Sequence, residues 1–398
     1  MLNYRFFVIT FIGSYLIFLS SSCDKEPTST PTPTPSSPIE ICTSSSDSET
    51  SDYFNSNTTL KNHNTSGVDY IIGCGLTINK NITIEPGVTI WMERDAYIVV
   101  DDGGQINASG TTSEPIIIEG KNQTEEWYVL ELRKGDNVLE YVNIKNAGYG
   151  TEKSTVYVAH SDANLTMRNC NLSKGAGYGL WVQWKATTLS FSNNTITSHQ
   201  KAPIYVTANQ VSSIDKASNL TGNTENFVQV AVSAITSSAL WNKLVLDYRA
   251  VSTDPQAIWI ELDALNTLTI EAGATIEFSN ETGIRANKGV LKIDGTTSAP
   301  IHFKGIGSGT GLWRGVYIDN AQQHSISHTT IDGAGGWGTD NDPTPAANVM
   351  VEFDGSLTIS NCTLKNSKYC GLSSHKDAVV SESNITYSGN GTGEYCKN

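Results

Sequence analysis

One phrase occurs twice in this chain and constrains its fold more than any other feature. Asn81-Ile82-Thr83-Ile84-Glu85-Pro86-Gly87-Val88-Thr89-Ile90 returns as Thr267-Leu268-Thr269-Ile270-Glu271-Ala272-Gly273-Ala274-Thr275-Ile276. Each copy is two short apolar/polar alternations joined by a Gly turn, the pattern of strands with one buried face. Around the phrase the duplication extends in one order. Ile84 and Ile270 lie 186 apart, Trp127 and Trp313 also 186, and Ala147 and Ala334 187. Farther on, Cys170 and Cys362 lie 192 apart. Residues from roughly 70 to 200 therefore recur from roughly 256 to 390.

Within each copy a finer rhythm appears, with pairs such as Ile82/Ile84, Ile98/Val100, Leu130/Leu132, Val156/Val158 and Leu180/Val182 separated by Gly, Asn, Ser or Asp. Strands this short cannot bury an apolar row alone, and stacking successive coils solves that problem. With apolar residues at 38 % and no sustained helical periodicity beyond the N-terminal leader, the expectation is all-β. The specific fold expected is a right-handed parallel β-helix (solenoid) of about fifteen coils, roughly 20–25 residues each, in two tandem homologous modules. The modules are set at 61–222 and 223–398. A Greek-key sandwich would need hairpin dipeptides such as Asn-Gly between paired strands, and the only Asn-Gly is Asn390-Gly391, in the tail.

The N-terminus reads as an export signal over residues 1–22: Arg5, an apolar run Phe6 to Leu19, then Ser20-Ser21-Ser22-Cys23. That run is too short for a membrane span. The small residues ending on Cys resemble a bacterial lipobox, although Leu19 stands one place farther from the Cys than in the best examples. Cys23 would then carry the lipid, and residues 23–60, with TSTPTPTPSSP at Thr28–Pro38, would be a tether. The expected location is the outer membrane or cell surface of a Gram-negative bacterium, the periplasmic face being the other orientation.

The segments TIEPGVTIWM…GQINASGTTSEPIIIEG and TIEAGATIEF…GVLKIDGTTSAPIHFKG, each followed by a Trp and a Gly-rich turn, resemble exported right-handed β-helix repeat proteins of bacteria, lipoproteins among them. The resemblance implies the fold. Its catalytic members, polysaccharide lyases and glycosidases, raise a carbohydrate connection by analogy only.

Chemistry is sparse. A formal charge of −14 disfavours nucleic acid and broad contact with polyanionic glycans. The adjacent acidic pair Asp101-Asp102 reads as a turn, and copy two lacks it. The seven histidines of the body are scattered, and His324 and His328 read as surface-turn residues. After removal of Cys23, Cys42 could tie to Cys74 and Cys370 to Cys396. Cys170 and Cys362 read as buried turn residues, and spacing alone leaves the connectivity open.

Two candidate sites remain. Copy two carries five extra residues near Trp337, where Asp340, Asn341 and Asp342 could hold calcium, with Glu352 or Asp354 completing the set. Outward aromatics form the second: Tyr149, Trp181 and Trp337 as sugar-stacking platforms, with Tyr149 and Trp337 taken as repeat-equivalent. Trp91 and Trp259 also face out, while Trp127 and Trp313 are assigned to packing. The expectation is a non-catalytic monomer, needing no cofactor, that binds polysaccharide, cell-surface glycan or partner surfaces and is held to the membrane by lipid. The alternatives are a polysaccharide lyase or glycoside hydrolase, and a passive scaffold or adhesin.

Overall fold

Alternation along each strand puts every second side chain inside, and the inward side chains line up from coil to coil. On one side Leu76, Ile98, Leu130, Val156, Leu180 and Ile204 are directly paired partners. On another, Tyr70, Ile90, Ile118, Ile144, Leu172 and Ile196 do the same. All of these are buried. Each aliphatic side chain fully buried contributes about 1.5–3 kcal/mol of transfer free energy, which is how strands of three to five residues are held. The computed structural model describes residues 37–42, 54, 56–64, 67–151, 153–184, 187–253, 256–336 and 346–397. Cys23, most of the segment 23–60 expected as a tether, Trp337, Asp340, Asn341 and Asp342 lie outside the described residues, but Ile39–Cys42 and Thr58–Leu60, within that segment, are strands of the solenoid sheets.

The chain forms an all-β solenoid of parallel strands, about thirteen turns, in a 13-stranded sheet, a 7-stranded sheet and three 6-stranded sheets. The turn count is below the expected fifteen because the coils are longer. Successive inward residues of the 13-stranded (long) sheet are as close as Val228 and Tyr248, 20 residues apart, and as far as Ile331 and Leu364, 33 apart. Corner loops absorb the extra length. No helix among the described residues is long and apolar enough to cross a membrane.

Away from the junction a coil has three strands, and the two copies use the three sides differently. In copy one the first strand type, such as Asn81–Ile84, stacks in a 6-stranded sheet. The second type, such as Thr89–Met92, builds the 7-stranded sheet, and the third, such as Tyr97–Val100, builds the long sheet. In copy two the second type, Thr275–Phe278, occupies the long sheet, and the third type, Gly283–Ala286, has moved to a 6-stranded sheet. At the junction the short 3-10 helix Ala208–Ser213 replaces a strand, and a stretch around Ala234, bridging to Glu261, supplies one extra side. Copy two is thus turned by one side of the prism relative to copy one.

A single left-handed residue turns the corner between the first and second strands of several coils. Tyr141, Asn169 and Asn193 in copy one, and His328, Asn361 and Asn384 in copy two, have φ between 45° and 55°. Asn tolerates this conformation better than most residues. The residue after the corner points inward, which explains Cys170 and Cys362. Both are buried and unbonded, and burial raises both thiols, to about 12 and about 11. They are packing groups, as expected. The other four cysteines form the Cys42–Cys74 and Cys370–Cys396 disulfides, one near each end of the solenoid. At the corner, Asn169→Ala is expected to cost about 1 kcal/mol and Asn169→Gly close to nothing, read from urea midpoints.

Trp127 and Trp313 are fully buried, and each indole N–H donates to a backbone carbonyl at 2.8 Å, Lys145 O and Asp332 O respectively. The packing assignment holds in both copies. The surface-turn expectation fits His328, half-buried at its corner, but not His324. His324 is completely buried, as is His199 within 1 %. His324 Nδ1 accepts from Leu291 N–H at 3.0 Å, as Asn137 Oδ1 accepts from Ile106 N–H at 3.1 Å in copy one. His324 thus does the work of a buried Asn, linking one coil to the next.

Candidate functional site

The outward face of the long sheet carries one unbroken row of cross-strand neighbours. Through copy one it runs Glu131, Tyr157, Trp181, Tyr205. After Gln229 it becomes Arg249, Glu277, Lys304, Asp332, Lys365. The second half is an alternating-charge ladder closed on itself: Arg249–Glu277 at 2.6 Å, Lys304–Glu277 at 3.2 Å and Lys365–Asp332 at 3.3 Å. Such half-exposed pairs contribute little net stability and leave little unspent charge for a ligand.

Trp181 points outward as alternation requires, yet it is not an open platform. Its ring stacks on Tyr157 at 4.6 Å and 26°, and on Tyr205 at 5.4 Å and 11°. Tyr178 closes the cluster 5.1 Å from Tyr205. Neighbouring rings therefore cover both faces of the indole, and Tyr157, Tyr178 and Tyr205 are themselves buried. Burial raises the Tyr178 and Tyr205 hydroxyls, keeping them protonated. This cluster packs; it does not present a face on which a sugar ring could lie.

Tyr149 behaves differently. It belongs to a second stack, Tyr97–Tyr128–Tyr149, with centroids 6.4 and 5.9 Å apart, and it remains 40 % exposed. Its loop is rigidly seated: Gly148 N–H donates to Tyr128 O at 2.7 Å and Tyr149 N–H to Trp127 O at 3.2 Å. Gly150 has φ +105°, and a Cβ there would sit 3.0 Å from the Tyr128 ring, so only glycine lets the stack close. In copy two the matching N–H, donating to Trp313 O at 2.8 Å, belongs to Gly336. The structural counterpart of Tyr149 is therefore Gly336 rather than Trp337, and copy two has no aromatic at this point.

Tyr149 borders a concavity of about 400 Å³ with Gly148, Gly150, Lys153, Ala176, Gln200, Lys201 and Glu225. Corner loops of four successive coils build it. Lys201 Nζ lies 4.7 Å from the centre of the Tyr178 ring, so the concavity spans the gap between the two aromatic clusters. The sequence signal was present as Tyr149 in a Gly-rich turn; the lysines, 4 and 52 residues later, were not legible as its neighbours.

A second hollow, of about 270 Å³, lies on the other side of Tyr128, lined by Tyr97, Glu131 and Arg133 among others. Its carboxylates are tied: Arg133 meets Glu131 at 2.6 Å and Asp101 at 3.2 Å. A guanidinium shared between them holds both as ion-pair partners rather than as an acid and a base. Asp101 therefore belongs to a clamp, together with the turn expected from sequence.

Comparison with protein-family models, curated proteins and solved structures returns no match. The site must be read from its own chemistry. Among the described residues no group of three or more His, Cys, Asp or Glu is placed to hold a metal. Of the candidate calcium set only Glu352, buried, and Asp354, exposed, are described, two residues apart at the end of the strand Ala347–Val351. Trp91 and Trp259 are both half-buried. Trp259 lies over Gly283, where a Cβ would meet its ring at 2.5 Å, and Arg314 sits 5.5 Å from its centroid. Trp184, which alternation did not single out, is 47 % exposed and donates to Ala159 O at 2.7 Å.

Proposed function

We propose that this chain is an exported, lipid-anchored surface β-helix that holds carbohydrate without cleaving it, with Tyr149 as the stacking platform. The observation that carries the reading is the exposed Tyr149 ring on a fixed loop beside a polar concavity. An aromatic face flanked by amide, ammonium and carboxylate groups offers a sugar both its CH face and its hydroxyl partners. Export is supported by the signal-like leader and Cys23, and by two disulfides, which persist in oxidising compartments. The membrane attachment, the surface location and the monomeric state rest on the sequence.

Titration calorimetry with a panel of neutral and uronate oligosaccharides tests this. Tyr149→Ala is expected to weaken binding about tenfold or more while Trp181→Ala changes the fold's stability rather than affinity alone. Binding that ignores Tyr149 would remove the platform. Release of reducing ends or unsaturated sugars from any panel member would instead favour the lyase or glycosidase reading.

A further inference from the structure

Resting on the carbohydrate reading above, we infer that the Tyr149 concavity selects a glycan unit bearing a single carboxylate, a uronic acid within an otherwise neutral chain. The surroundings are acidic, with 40 Asp and Glu against 26 Lys and Arg in the whole chain. Many of those cations are consumed in ion pairs, as Lys145 is by Glu119 and Lys134 by Asp162. Lys153 and Lys201 are exceptions. Neither forms an ion pair among the described residues, and both line the same concavity as Tyr149. Lys174, exposed, sits on the corner loop between theirs.

Among the described lining residues two ammonium groups stand against the single carboxylate of Glu225, on an acidic protein. A carboxylate entering beside Tyr149 would meet two charge-assisted donors. Glu225 and Gln200 remain to accept from and donate to ring hydroxyls. The opposite sign of the rest of the molecule matters equally. A continuous polyuronate would carry further carboxylates out over an anionic surface and be repelled there, beyond the reach of two lysines. The charge pattern thus fits an isolated acid within a neutral chain.

The test uses the full exported chain and three probes: glucuronosyl-xylotriose, xylotetraose and polygalacturonate. At low salt the acidic tetrasaccharide is expected to bind roughly tenfold more tightly than its neutral counterpart. The preference should vanish in Lys153→Met/Lys201→Met, and fall sharply at about 0.5 M salt. Both lysines are on the surface, and an unchanged circular dichroism melt confirms that the double variant folds. Equal binding of acidic and neutral probes, an unchanged preference in the double variant, or tightest binding to polygalacturonate would each overturn the inference and leave glycan binding standing. No binding of any probe, with Tyr149→Ala indistinguishable from wild type, would remove the carbohydrate reading and this inference together.

Discussion

Acidification from about pH 6.5 to about pH 4.5 is expected to destabilise the fold steeply, and His324→Asn to remove a large part of that loss. Burial pushes both His199 and His324 down to about 4, far below the ordinary value of 6.5. A depressed histidine means that the folded chain refuses a proton that the unfolded chain takes up. Stability is therefore full above pH 6.5, falls as the pH drops through the window, and reaches its floor near the folded value. A fully realised shift of this size corresponds to about 3 kcal/mol per histidine. At His324 the mechanism is local. Nδ1 accepts from Leu291 N–H, so Nε2 carries the proton and faces Asn320 Oδ1 at 3.2 Å. A second proton would set Nδ1–H against Leu291 N–H inside the core.

Asparagine already performs this task at position 137, so His324→Asn should fold at neutral pH with a modest cost and a shallower pH dependence. Urea midpoints at about pH 7.5 and about pH 4.5 read this directly. An identical slope in the variant would show that His324 does not titrate as its burial requires. Two ion-paired carboxylates lie outside the comparison. Glu271, bonded to Lys216 and Lys243 N–H, and Glu277, held down by Arg249 and Lys304 against its burial, are lowered and lose their stabilising charge only at more acid pH.

The second large effect is expected at Trp313. Its ring lies 4.2 Å from Phe278 at 7° and 6.5 Å from Phe303 at 81°, in a core with no solvent contact. Trp313→Ala should cost about 4 kcal/mol, through lost transfer energy and the cavity left behind. Trp313→Phe should cost about 1–2 kcal/mol, chiefly because Asp332 O loses its donor. A solenoid couples each coil mainly to its neighbours. Native-state hydrogen exchange in Trp313→Ala should therefore lose protection around residues 275–336 and retain it in the strands from Gly75 to Val182. Uniform loss along the whole chain would show a single cooperative unit instead.

Much of the architecture was legible because both repeats state it twice. The inward rows, the paired tryptophans and the corner cysteines follow from alternation and from offsets that hold across the duplication. What escaped lies where one residue type can serve two environments. His324 occupies an alternating stretch, Gln323-His324-Ser325, whose inward position accepts a backbone N–H; a polar residue there reads as surface unless Asn137 is recognised as its equivalent. Trp181 was placed on the correct side of its strand, but alternation cannot say that Tyr157 and Tyr205 from the adjoining coils would cover both faces. Tyr149 was found, whereas Lys153 and Lys201 join it only through stacking of separate coils. The pairing of Tyr149 with Trp337 failed by one residue: the offset of 187 that relates Ala147 to Ala334 already sets Gly336 against Tyr149, and the hydrogen bonds to the buried Trp carbonyls agree.

The one-side turn between the copies has a consequence for what gene duplication achieved here. Equivalent positions of the two copies lie about seven coils apart, roughly 35 Å along the axis at the usual strand spacing. Yet they occupy different walls of the prism. A stiff polymer lying along the molecule can meet a feature of copy one or its descendant in copy two, but not both at once. The avidity that tandem modules usually confer is closed to it by geometry. Doubling the sequence has produced a molecule with two independent frontages, each free to diverge, as Tyr149 and Gly336 have done.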